Sequence, residues 1–266
     1  SFFKPNEPVE RLTDAVEKAE IIRLMGFDAV VEQPFTADFS AQSAEDFVRN
    51  ILVERLHASC VVTGYDFHFG KGRRGTPEFL VEAGESSGFS VSLVDAFSDE
   101  GGNVVSSTRI RALLCEGEVA EAAGLLGYRY RVSGEVIHGK KLGRTLGFPT
   151  ANMTIDDHVS MKHGIYAVRF RRADGSLHDG VASFGRRPTV DSDGKPLLET
   201  FVFDFSGDLY GEVAEVSFFG YLRGEIKFDG LDPLIVQMKR DEEEARAILV
   251  GAQPISALDR LLSFPA

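Results

Sequence analysis

The residues from Gly139 to Asn152, G-K-K-L-G-R-T-L-G-F-P-T-A-N, carry the strongest chemical pattern in the chain. Gly139, Gly143 and Gly147 recur at a spacing of four, which lets backbone N–H groups approach an anion, and Lys140, Lys141 and Arg144 add positive charge. This is not a Walker A loop. That motif has four residues between its glycines followed by Lys-Ser/Thr, whereas Gly143-Arg144-Thr145 comes one residue early with Arg in place of Lys. The P-T-A-N that follows sets the Thr150 hydroxyl and the Asn152 amide two residues apart on one strand face. Such hard oxygens suit Mg²⁺ shared with phosphates. A long basic hairpin loop would explain the glycines but not the P-T-A-N. Glu199 opens the strand E-T-F-V-F-D-F, where a period of two puts it on the face of Phe201, Phe203 and Phe205. A carboxylate at the rim of an aromatic face is partly desolvated, which raises its pKa toward that of a usable base. The plainer alternative is an edge residue leaning into solvent.

Two further segments could hold anions. Gly70-Lys71-Gly72-Arg73-Arg74-Gly75 matches G-x-G-x-x-G, with Asp95 at about the distance of a ribose-binding acid. The dinucleotide reading fails, because the preceding strand ends at Thr63 and Pro77, not the third glycine, starts the next helix. A flexible surface loop stays open as a reading, but Lys71, Arg73 and Arg74 in an acidic protein make a local anion site. Ser106-Ser107-Thr108-Arg109-Ile110-Arg111 places hydroxyls and two arginines in the first turns of a helix, a terminus suited to phosphate or simply an ordinary cap. Ser107, Thr108, Arg111 and the Lys71 to Arg74 loop are expected to form an anion site of their own. The histidines (His57, His68, His138, His158, His163, His178) show no metal spacing.

The elements that must position these groups fall into two textures. In the first half, Leu12, Val16, Ala19, Ile22 and Met25 predict a helix stopped at Gly26, followed by a short strand F-D-A-V-V. A second helix opens at Ser43, with Phe47, Val48, Ile51, Leu52 and Leu56 on one face. The strand C-V-V-T, a helix after Pro77, the strand F-S-V-S-L-V and two helices from Ser107 to Leu126 follow. This alternation implies an α/β domain with a parallel sheet. From Tyr128 period-two runs appear, punctuated by Asp174-Gly175 and Asp193-Gly194 turns. They predict an antiparallel β-barrel up to Leu222, with a helix from Leu231 to Val250 packed outside it. The boundary falls near Gly127, giving domains 1–126 and 127–266.

Composition narrows the function classes. Apolar residues make up 43% of the 266 and charged residues 26%, enough to build a core. With 41 acidic against 29 basic side chains the formal charge is −12, which excludes a broad grip on nucleic acid. No apolar run is long enough for a membrane helix, so no membrane partner is expected. Cys60 and Cys115 read as reduced, buried thiols of a cytoplasmic protein. The chain opens at Ser1 without Met, which suggests a start inside a longer gene product.

Taken together, these motifs resemble the prokaryotic bifunctional riboflavin kinase/FMN adenylyltransferase (FAD synthetase) family over nearly the whole chain. G-R-T-L-G-F-P-T-A-N, G-V-A-S-F-G-R-R-P-T, E-T-F-V-F-D-F and L-R-G-E-I-K-F are similar to successive flavokinase signatures. V-T-G-Y-D-F-H-F-G-K-G-R-R-G and S-S-T-R-I-R are similar to those of the adenylyltransferase module. The resemblance implies a Rossmann-like nucleotidyltransferase domain followed by a riboflavin kinase barrel. In the kinase it implies Glu199 as base, Thr150 and Asn152 at Mg²⁺ and ATP, and Gly139, Lys140, Gly143, Arg144, Gly147, Phe148 and Pro149 around the nucleotide. Arg223 and Glu225 would face the flavin. In the first domain Gly64, Asp66, Arg73, Ser107, Thr108 and Arg111 would contact ATP. Substrates and products would be ATP, riboflavin, FMN and FAD, with a homo-oligomer left open. One departure is that the family opens with G-x-F-D-G-x-H-x-G-H, and nothing similar stands near Ser1-Phe2-Phe3-Lys4-Pro5. The expectation is therefore FMN formation with little or no FAD. The competing readings are a nucleotidyltransferase with a non-catalytic barrel and a flavin-binding module without turnover.

Overall fold

The computed structural model describes residues 11–139, 147–156, 159–186 and 196–265. By their contacts they form two compact units, one of residues 31–105 and one of 11–30 together with 106–265. The texture change at Gly127 marks where antiparallel strands begin. The compact units part elsewhere, because the two helices before Gly127 and the first helix of the chain belong with the barrel.

In the first unit, α2 (Ala37–Ser40) leads to α3 (Ala44–Asp46), capped by Ser43 Oγ accepting from Asp46 N at 3.0 Å, and a π-helical stretch Phe47–Arg55 continues it. Strands β1 (Cys60–Gly64) and β2 (Ser90–Val94) pair in parallel, with α4 (Pro77–Ser87) between them. Proline stands at the first turn of α4, where its missing N–H has no intrahelical acceptor to lose, and Thr76 caps it. Ala44, Val48, Leu52, Phe69, Leu80 and Phe89 make the core of this unit. The strand expected at F-D-A-V-V is absent. Phe27, Val30 and Val31 are exposed, and without a neighbouring strand to pair with, an apolar run does not become one.

In the second unit, α1 (Ala15–Leu24) is capped by Asp14, but its buried positions are Glu17 and Ile21, and Val16 is 80% exposed. The expected apolar stripe is thus rotated. The cause is charge: Arg131 of the barrel, itself buried, binds Glu17 through Nε at 2.9 Å and also pairs with Glu20 and Glu215. Helices α5 (Ser107–Glu116) and α6 (Val119–Leu126) precede the barrel, each ending on a left-handed glycine, Gly117 and Gly127. The exposed thiols are a second correction. Cys60 starts β1 in a sheet of only two strands, and Cys115 lies on the outer side of α5 beside Ser160.

Strands β3 (Arg131–Ile137), β4 (Thr150–Thr154), β5 (Gly164–Arg171), β6 (Leu177–Arg186), β7 (Pro196–Val202) and β8 (Val213–Arg223) close an antiparallel barrel in the order β3-β4-β7-β6-β5-β8. Asp174-Gly175 makes the β5–β6 turn, with Arg172 N donating to Ser176 O at 3.0 Å. Asp193-Gly194 lies outside the described residues. Alternate side chains fill the interior: Val136, Met153, Val168, Phe170, Phe184, Leu198 and Phe218 are all but inaccessible. Helix α7 (Leu231–Gly251) lies outside, seated by Ala245 and Leu249 on Ala167, Phe203 and Phe219, and α8 (Ala257–Ser263) follows it.

Candidate active site

Strand register brings the sequence-predicted residues together. Because Leu198, Thr200 and Val202 point inward, Glu199 and Phe201 point to the outer face of the barrel. On that face Asn152, Glu199, Ser183 and Ile165 stand in one row across β4, β7, β6 and β5, and Thr150, Phe201, Val181 and Ala167 form the next row. Glu199, Ser183 and Ile165 of the first row and Thr150, Phe201 and Val181 of the second floor a cavity of about 560 Å³, walled by Leu234 and Met238 of α7 and closed at one side by Phe148. Phe148 meets Phe201 edge to face, with ring centroids 5.1 Å apart. Phe203 and Phe205, expected on the Glu199 face, lie past the end of β7. Phe203 packs into the cluster under α7 and Phe205 against His178.

A smaller cavity of about 250 Å³ adjoins the other side of Thr150, lined by Val136, Pro149, Val202, Phe205 and Tyr210. Thr150 lines both cavities. The Asn152 amide is 5% exposed and its Nδ2 donates to Thr150 O at 3.2 Å, so the side chain lies back along β4 against Thr150, the residue that lines both cavities. Gly139 lies directly over it. A Cβ at 139 would stand 2.5 Å from Asn152 Nδ2, so only glycine leaves that amide in place. Gly147 has φ +86°, a conformation that glycine adopts without strain, and it turns the chain into Phe148-Pro149-Thr150. Lys140, Lys141, Gly143 and Arg144 lie outside the described residues.

Thr150, Asn152 and Glu199 offer a hydroxyl, an amide and a carboxylate, a donor set of hard oxygens without thiol or imidazole. It fits Mg²⁺, which takes one or two protein groups and completes its shell with water and phosphate. Among the described residues no cluster of three or more His, Cys, Asp or Glu could hold a metal by itself. Arg223 and Glu225 both reach the large cavity. Arg223 is engaged on the protein, with Nε donating to Asp241 Oδ1 at 2.8 Å and one Nη to Asp241 Oδ2 at 2.5 Å. Glu225 lies over β6, its Oε1 2.6 Å from where Gly185 would carry a Cβ. Ser183, Asp241 and Met238 were missed from sequence. The period of two marks Ser183 as outward, but only pairing with β7 places it beside Glu199.

In the other unit Gly64 ends β1 and Asp66 is exposed in the turn after it. The loop to Gly75 is closed by paired hydrogen bonds between Phe69 and Gly75, at 2.9 and 3.1 Å, and is not the strand-to-helix turn of a dinucleotide fold. Arg73 borders an aromatic cavity of about 490 Å³ lined by Phe39, Phe47, Phe67, Phe69 and His68. The scattered phenylalanines gave no signal in sequence, since they come from three separate segments. Ser107, Thr108 and Arg111 sit in the first turns of α5, where Ser106 is the cap and accepts from Arg109 N at 3.3 Å. They belong to the compact unit of the barrel and the Lys71 to Arg74 loop to the other.

Comparison with known proteins agrees with this fold. A family described as FAD synthetase matches residues 1–109, and one described as riboflavin kinase matches residues 126–249. The bifunctional riboflavin kinase/FMN adenylyltransferase of Listeria monocytogenes is 42% identical over 243 residues, covering 90% of this chain and 75% of that protein. That of Haemophilus influenzae is 40% identical over 251 residues, covering 92% and 79%. Among solved structures, one called a macrolide-efflux protein, from Streptococcus pneumoniae, superposes with a TM-score of 0.81 at 31% identity over 92% of this chain and 80% of that one. No helix among the described residues is long and apolar enough to cross a membrane. On the strength of these relatives and of both matched domains, the chain belongs to the bifunctional riboflavin kinase/FMN adenylyltransferase family.

Proposed function

We propose that the barrel transfers the γ-phosphoryl group of ATP to the 5′-hydroxyl of riboflavin, giving FMN and ADP. The observation that carries this reading is the meeting of two unlike cavities at Thr150, with Glu199 standing in the larger. Phosphoryl transfer asks for two substrates held end to end and for charge stabilisation between them. The larger cavity, with Phe148, Phe201, Val181, Leu234 and Met238 around it, suits a planar ring of flavin size. The smaller, beside Pro149 and Tyr210, suits the nucleotide.

In this reading Glu199 accepts the proton of the 5′-hydroxyl as its oxygen bonds to the γ-phosphorus and the bond to the β-phosphate oxygen breaks. Thr150 and Asn152 would hold Mg²⁺, which when bound neutralises charge on the phosphates. Gly139 to Gly147 would wrap the phosphates, with Lys140 and Arg144 supplying charge. Phe148 keeps water from the transfer point.

For the segment that matches FAD synthetase we propose adenylyl transfer from ATP to FMN, giving FAD and pyrophosphate, in place of the expectation of little or no FAD drawn from the opening residues. The aromatic cavity of Phe39, Phe47, Phe67 and Phe69 supports a flavin ring there, and Arg73 at its edge supports an anionic group. Gly64, Asp66, Ser107, Thr108 and Arg111 are the proposed ATP contacts. A cytoplasmic location is supported by two unpaired, exposed cysteines, which suit a reducing compartment. Incubating the protein with riboflavin, ATP and Mg²⁺ and separating the flavins tests both parts, since FMN reports the barrel and FAD the other segment.

A further inference from the structure

Helix α7 carries one continuous seam toward the barrel, made of Leu234, Met238, Asp241, Ala245 and Leu249, at spacings of four, three, four and four. Its two halves do different things. Ala245 and Leu249 are sunk into the cluster of Ala167, Phe203 and Phe219, so the C-terminal half is fixed by packing. Leu234 and Met238 face the large cavity, with open space rather than core beneath them. At the junction sits a charge, Asp241, only 4% exposed, which with Arg223 also lines the cavity at this end. Its two carboxylate oxygens take Nε and one Nη of Arg223, at the end of β8, and Gln237 Nε2 adds a third bond to Oδ1 at 2.9 Å. The other Nη of Arg223 donates to Gly224 O at 2.9 Å.

A seam that needed only to bury area would carry a leucine here. A two-bonded guanidinium–carboxylate fork is directional where an apolar contact is not, and it fixes the height and rotation of the helix at the last point before the helix becomes a cavity wall. From this we infer that Asp241 and Arg223 are positioning residues for the flavin: their fork sets the distance of Leu234 and Met238 from the floor of Phe201 and Val181, and so the gap into which the ring slides. The inference rests on the riboflavin kinase reading of the barrel. The nucleotide cavity is lined by none of these residues, so the fork governs one substrate and not the other.

The test is steady-state kinetics of FMN formation with each substrate varied, alongside riboflavin binding followed by flavin fluorescence and thermal melting. Asp241→Asn should raise KM and Kd for riboflavin about tenfold or more, with KM for ATP and kcat within about twofold. Because a buried Arg223 without its partner can destabilise the fold, the double variant Asp241→Leu/Arg223→Met is measured as well; it removes both charges and should melt near the parent. If the fork positions the wall, that stable variant still binds riboflavin weakly. Parental riboflavin affinity in either folded variant overturns the inference, as does a rise in both KM values together, which would mean general loosening. Failure of the parent protein to phosphorylate or bind riboflavin would instead overturn the reading on which the inference rests.

Discussion

Asn152 shows how little room the site has. Its amide is fixed from below by Thr150 and from above by the absence of a side chain at Gly139. Asn152→Ala removes the amide oxygen that would face the metal, and kcat for FMN formation should fall by ~10² or more, with melting little changed. Unchanged turnover with the same Mg²⁺ dependence would remove Asn152 from the metal. Gly139→Ala should reach a similar defect by a different route, since its Cβ must push the amide aside. A Mg²⁺ titration of activity shifted to higher concentration in both variants would link them, and a normal titration in Gly139→Ala would show that the neighbour gives way harmlessly. That Thr150 and Asn152 share one face of a strand was legible in the sequence, because P-T-A-N pairs polar groups at strand period. Asp241 was not, since an acid within D-E-E-E-A-R reads as a solvated helix face until Arg223 is seen to bind it.

At the scale of elements, α1 shows a limit of the periodic reading. Apolar residues at helical spacing predicted its buried face, yet Glu17 is buried and Val16 exposed, because one barrel arginine gathers three carboxylates. Burial is the largest influence on Glu17 and pushes its pKa from 4.5 up to about 7, against the opposing pull of Arg131. The folded chain therefore holds a proton that the unfolded chain releases near 4.5. The stability this contributes is complete below that pH, declines as pH rises, and is gone once pH has passed through about 7. The change is worth roughly 3 kcal/mol at most. Glu17→Gln, neutral at every pH, should flatten this part of the profile. Urea unfolding of both proteins between pH 4.5 and 7.5 would check it, and parallel slopes would contradict it. The strands tell the opposite story. Period-two runs located β3, β5 and β8 well, because each buries one face in a closed barrel, where alternation is imposed by geometry, whereas β7 begins and ends three residues before the run E-T-F-V-F-D-F.

For the whole molecule, the two matched segments, 1–109 and 126–249, carry two chemistries that should be separable by mutation. Variants in the barrel cavity should stop FMN formation from riboflavin and leave adenylylation of supplied FMN at its parental level. Arg73→Ala, at the edge of the aromatic cavity, should do the reverse. Assay of each variant with riboflavin and with FMN decides this, and loss of both activities in either would contradict it. The two textures were visible in sequence, but the division into units was not: α1 lies far before the barrel strands in sequence and is still bound to them through Arg131. The central claim is that Glu199 removes the proton of the riboflavin 5′-hydroxyl in the barrel. Glu199→Gln keeps the size and hydrogen bonding of the side chain but cannot take the proton. The direct measurement is single-turnover FMN formation by the parent and this variant, with riboflavin and ATP saturating and riboflavin affinity measured beside it. The account predicts a rate lower by ~10²–10⁴ with riboflavin binding nearly unchanged. A variant that forms FMN at close to the parental rate, or whose only defect is weaker binding, would contradict it.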